Sequence, residues 1–150
     1  RNIRWRNNGY QLFSVSSLAL SSAGGWFAPI NESNCFALQR NTFQVLGGFD
    51  ERFLSPGGGL VDLDFFRTAI ASPLLRPWVL LGEGSFHQIH GGVATNVPME
   101  HHPGAQFALE YEQIRGEPYA PPRYEPLYYG SLPEVTWRWI DPSTAVNNAP

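Results

Sequence analysis

Ser55-Pro56-Gly57-Gly58-Gly59 is a break that neither a helix nor a strand crosses, and the chain is organised around it. Beyond it, Leu60, Leu63, Phe66 and Ile70 recur at near-helical spacing. That spacing predicts an amphipathic helix over 60–71, ended by Pro73 and Pro77. Two acids, Asp62 and Asp64, fall where this helix begins. On a strand both carboxylates would point the same way and could grip one cation. On a helix they stand about 200° apart, so only one faces a given site. The helical periodicity favours the second geometry, leaving Asp62 or Asp64 as a single acid beside a glycine loop where a substrate backbone can approach. Negative charge is favoured near a helix N-terminus, which suits a base taking a proton from a sugar hydroxyl. Ordinary first-turn charge is the plainer explanation of the same residues.

Upstream of the break, residues 1–10 are basic and polar, with Trp5 and Tyr10 as anchors. Leu12, Val15 and Ala19 fit a short helix, although the serines around them also suit an extended segment. Cys35 to Gln39 reads as a short buried strand, with Cys35 as a small buried hydrophobe. Asn41 is the expected N-cap of a short helix that Gly47-Gly48 stops. Downstream, Trp78 to Leu81 reads as a second buried strand and Ser85 to Ile89 as a candidate third. Phe107, Tyr111 and Ile114 place one face of a helix over 105–114. After Gly116 prolines alternate with Tyr119, Tyr124, Tyr128 and Tyr129, which predicts an irregular arm over 117–150 following a domain over 1–116. The expected fold is α/β, a small mixed sheet with packed helices.

Of the 150 residues 43% are hydrophobic and 15% charged, as in a globular chain, and the net charge of −3 gives no general pull toward nucleic acid. All the cationic side chains are arginine; there is no lysine. No apolar run approaches the ~20 residues of a membrane span. A single cysteine cannot form an internal disulfide. The expected setting is cytoplasmic.

His87 and His90 form His-x-x-His after a predicted strand. In an extended segment they point to opposite faces, so one of them would meet a metal; a hydrogen-bonded buried histidine explains either alone equally well. His101-His102 reads as surface. Trp26 next to Gly24-Gly25, with Glu32 and Asn34 in the polar run that follows, could line a sugar site, the ring stacking on the sugar and the polar groups pairing with its hydroxyls. Core packing and turn formation are the simpler roles. Asp50 and Glu51 read as turn and helix-start acids, and Arg40, Arg52 and Arg67 as ion-pair partners of nearby acids.

Taken in order, Cys35 to Arg40, Gly47-Gly48-Phe49-Asp50-Glu51-Arg52-Phe53, Val61 to Arg67 and Phe86 to Gly92 resemble the acceptor-side, C-terminal half of a GT-A fold glycosyltransferase of the family 2 kind. The resemblance spans roughly residues 25–95. It implies inverting transfer of a sugar from a nucleotide-sugar to a carbohydrate acceptor. Asp62 would be the base, Asp64 the second candidate, and Gly58 and Gly59 would border the substrate. A divalent metal, Mn or Mg, would stabilise the leaving diphosphate, with His87 or His90 near it. Where the family has an acidic pair, this chain has Gly59-Leu60-Val61, and nothing before residue 25 matches the family's nucleotide-binding half. The expectation is therefore a partial domain that docks a missing half or self-associates. A non-catalytic carbohydrate-binding or interaction module and a small metal-dependent hydrolase are the competing expectations.

Overall fold

A computed structural model of the chain describes residues 35–81, 91–94 and 97–130. The chain divides into two compact units. One takes Asn31–Arg76 and Phe86–Tyr124; the other takes Arg1–Ile30, Pro77–Ser85 and Glu125–Pro150. Helices and a small parallel sheet are both present, so the fold is mixed α/β. Among the described residues no helix is long and apolar enough to cross a membrane.

Among its described residues the first unit holds three α-helices: α1 (Arg40–Val45), α2 (Val61–Ala71) and α3 (Gly104–Arg115). Helix α1 starts earlier than expected, with Gln39 and not Asn41 at the N-cap and no side chain closing it. Its end follows the glycine pair. Gly47 N–H donates to the Gln44 carbonyl and Gly48 N–H to the Phe43 carbonyl, each at 3.0 Å, which is a Schellman closure. Both glycines have positive φ, and a Cβ on Gly48 would lie 3.0 Å from the Phe43 ring. The turn thus delivers Phe49 against Phe43, ring centroids 5.4 Å apart.

Helix α2 forms where the apolar spacing places it, yet its most buried apolar side chain is off the predicted stripe. Phe65 is 2% exposed, at the centre of a ring cluster with Phe36, Phe43 and Phe49. Helix α3 buries Phe107 and Tyr111, as its spacing predicts, and ends at Gly116 in the left-handed conformation. The Nδ1 of His102, expected at the surface, accepts the Gly104 N–H at 3.0 Å at the start of α3; His101 is exposed.

Further readings are corrected, among them the buried strand expected at Trp78–Leu81, which forms but exposes Trp78 and Leu80. Residues Cys35 to Gln39 are not a strand, and Cys35 is exposed. No strand pairs with this segment among the described residues; its side-chain tie is Phe36 stacked on Phe65 at 5.7 Å. The arm after Gly116 is not wholly irregular either. In the second unit, strand β1 (Trp78–Leu81) pairs in parallel with β2 (Leu127–Gly130), Val79 opposite Tyr128 and Leu80 opposite Tyr129. The candidate strand over 85–89 and the candidate helix over 10–20 lie outside the described residues.

Candidate functional site

The candidate site is built at the joint between the glycine break and α2. Pro56–Gly58 make one turn of 3-10 helix, and Gly57, Gly58 and Gly59 all have positive φ. Gly59 combines φ 57° with ψ −123°, a conformation that only glycine adopts without strain. A Cβ there would also stand 2.7 Å from Glu110 Oε2 and 3.3 Å from Ser55 Cβ. The turn therefore presses its backbone against the side chain of Glu110, and Leu60 then leads into the first turn of α2.

Asp62 and Asp64 both lie in that first turn and part company there. Asp62 is partly exposed; Asp64 is buried. Both oxygens of Asp64 are taken by Arg115, whose Nε donates to Oδ1 at 2.7 Å and Nη2 to Oδ2 at 2.5 Å. Such a two-point pairing satisfies a carboxylate that would otherwise be costly to bury. The apolar spacing predicts a helix here, and both acids do lie in its first turn.

The same guanidinium reaches the Gly-Gly-Phe-Asp-Glu loop. Arg115 Nη2 lies 2.8 Å from Asp50 Oδ2. Asp50 also accepts the Arg52 backbone N–H at 3.0 Å and the Arg52 Nη2 at 2.7 Å. These donors hold the Asp50 carboxyl well below the usual carboxylate range, with the Arg52 side-chain hydrogen bond the largest cause. Arg115 is pushed up in turn, chiefly by Asp64. An open hollow of about 560 Å³ lies between this loop, α2 and α3, with Asp50, Asp64, Thr68 and Arg115 on its wall.

Two further ties run from α3 and its flank. Glu110 Oε1 accepts the backbone N–H groups of Leu54 and Ser55, each at 2.7 Å, while its Oε2 is buried without a protein partner. Arg67 donates to the Tyr111 hydroxyl at 2.7 Å and to Glu117 at 2.6 Å. Arg52 and Arg67 are thus ion-pair partners of acids, as expected. Tyr119 packs edge-on to Tyr111 at 5.2 Å, and burial pushes its phenol pKa up.

Sequence reasoning singled out neither Arg115 nor Glu110. Their partners lie 51 and 55 positions away, and no local pattern marks such distant pairs. Of the other candidate residues, Gly58 and Gly59 form the turn beside Asp62, while Trp26, Glu32, Asn34, His87 and His90 lie outside the described residues. Among the described residues no three His, Cys, Asp or Glu side chains come together as a metal site. With Asp64 committed to Arg115, those residues do not by themselves fit a cation. Comparison of the chain with protein-family models, with curated proteins and with solved structures finds no match in any of the three.

Proposed function

We propose that the chain carries the acceptor-side part of a GT-A, family 2-like glycosyltransferase domain, with Asp62 as the base. The observation that carries this reading is the separation of the two aspartates. Asp64 is buried against Arg115, whereas Asp62 stays partly exposed at the helix start, directly after a turn of left-handed glycines. Of the two carboxylates, that of Asp62 is the more exposed one and follows the glycine turn, where an acceptor can approach closely. In the proposed reaction the acceptor hydroxyl loses its proton to Asp62, and its oxygen bonds to the anomeric carbon of the donor sugar. The bond from that carbon to the diphosphate breaks, and the nucleoside diphosphate departs with the electron pair. A divalent metal, where one is used, would serve the departing diphosphate, and proton removal by Asp62 would not depend on it. The proposed setting is the cytoplasm.

The test is calorimetric titration of UDP-, GDP- and dTDP-sugars into the protein, with and without manganese, followed by turnover with a sugar acceptor. One donor should bind more tightly with the metal present. Asp62→Asn should lower kcat by about 10²–10⁴-fold, the usual worth of a general base. Asp64→Asn should first lose stability, because it breaks the two-point pairing that satisfies the buried Asp64 position and leaves half-buried Arg115 with Asp50 as its acid partner. Absence of binding to every donor would overturn catalysis by this chain and favour a non-catalytic carbohydrate-binding module.

A further inference from the structure

We infer that helix α3 positions the proposed base, with Arg115 and Glu110 as the positioning residues; the catalytic part of this inference rests on the reading of Asp62 just given. Asp62 sits on a short piece of backbone held at both ends by α3. On its N-terminal side, Glu110 Oε1 gathers the Leu54 and Ser55 N–H groups at 2.7 Å each, while the rest of its carboxylate fills the space beside Gly59. On its C-terminal side, Asp64 is held at two points by Arg115. One turn further along α2, Arg67 is tied to Tyr111 of α3 and to Glu117 just beyond it.

These ties leave the backbone from Gly59 to Asp64 little freedom to rotate, so the direction in which Asp62 projects is set from α3. A general base acts only within hydrogen-bond reach of the proton it takes, and small misplacements cost rate steeply. The planar fork of arginine suits the task better than an ammonium would. It meets both Asp64 oxygens and, through the same Nη2, the Asp50 carboxylate, so the Gly-Gly-Phe-Asp-Glu loop and the base-bearing helix share one anchor. Helix α3 lies outside residues 25–95, the stretch that carries the family resemblance. The inference therefore adds to the site a segment that the motif series does not contain.

The experiment uses the full chain and two readouts. The first is amide hydrogen exchange at Asp64, whose N–H donates to the Leu60 carbonyl at 2.8 Å, and at Leu54 and Ser55. Arg115→Ala should speed exchange at Asp64 on the order of a hundredfold. Added guanidinium should slow it again, and methylammonium should not. Glu110→Ala should do the same at Leu54 and Ser55 while leaving Arg115 in place. The second readout is turnover, where Arg115→Ala should lower kcat with the donor KM unchanged, again with rescue by guanidinium.

Should Arg115→Ala fail to fold, the double variant Asp64→Asn with Arg115→Gln removes the buried carboxylate and the guanidinium paired with it together. It should fold, keep the donor KM and still lose kcat. Unchanged exchange at Asp64 in the folded variants, or a double variant with full kcat, would overturn the positioning role. A wild-type chain that binds donors but transfers nothing would instead sink the reading of Asp62 as base, and exchange alone would then decide whether α3 fixes the backbone around it.

Discussion

Asp50 and Asp64 share one guanidinium but sit in different surroundings. Asp64 is buried; Asp50 is half-buried and holds the Arg52 backbone N–H and two arginine side chains. The Asp50 carboxyl is depressed in the folded protein. Its contribution to stability is therefore fully present above the unfolded pKa of about 3.9, and it is lost as pH falls from there toward the folded value. At pH 7, Asp50→Asn should be less stable than wild type by about 1–3 kcal/mol, the scale of hydrogen bonds to a charged group. Below pH ~4 the gap should shrink, because the unfolded wild-type chain then binds a proton at Asp50 that the folded protein, with its depressed carboxyl, does not yet take up. Urea melts at neutral and acid pH check this; a gap that stays constant across the range would mean that Asp50 titrates alike in both states.

At the scale of elements, α1, the turn after it and α2 are joined through one ring. Phe65 meets Phe43 at 4.8 Å, Phe49 at 5.3 Å and Phe36 at 5.7 Å. Phe65→Ala should cost about 3–5 kcal/mol, as large-to-small changes in a packed core do, whereas the same change at the neighbouring Phe66, which is only half-buried, should cost clearly less. Denaturant midpoints of the two variants measure the difference. What was legible in the sequence at this scale was local. Gly47-Gly48 stops α1 because the chain must turn left-handed there, and the stops and spacings around α2, β1 and α3 are likewise written within a turn or two. What was not legible depended on distant partners. Leu127–Gly130 is a strand because Trp78–Leu81 lies beside it, and the prolines before it hid that. Cys35–Gln39 has the composition of a buried strand but no strand to pair with among the described residues. Phe65 outranks the helical stripe because three rings from the preceding segment converge on it. In the site, the glycine turn and the acid after it were readable, while Arg115 and Glu110, which hold them, were not.

For the molecule as a whole, the balance between apolar surface and charge decides how copies behave toward one another. Charged residues make up only 15% of the chain, and the net charge is −3 at pH 7. Against that weak repulsion stand large exposed apolar side chains: Trp78, Leu80 and Tyr129 on the parallel pair, and Val45, Leu54 and Met99 in the other unit. The sequence pI is about 5.8, so the charge that keeps copies apart vanishes within about a unit or so of neutrality. Near its pI a surface of this kind should associate through its apolar side chains. Sedimentation velocity at fixed protein concentration and low salt should show the heaviest species near pH 5.8 and dissociation toward pH 8. At pH 8, added salt should restore part of the association, because it screens the repulsion between acidic copies without weakening apolar contacts. Replacing Trp78 and Leu80, which flank the buried Val79 on exposed positions of β1, by Thr should reduce association at pH 5.8 if that face takes part. A single monomeric species at both pH values would show that the apolar side chains are too dispersed to act together, and that the surface charge, small as it is, is not what keeps the copies separate.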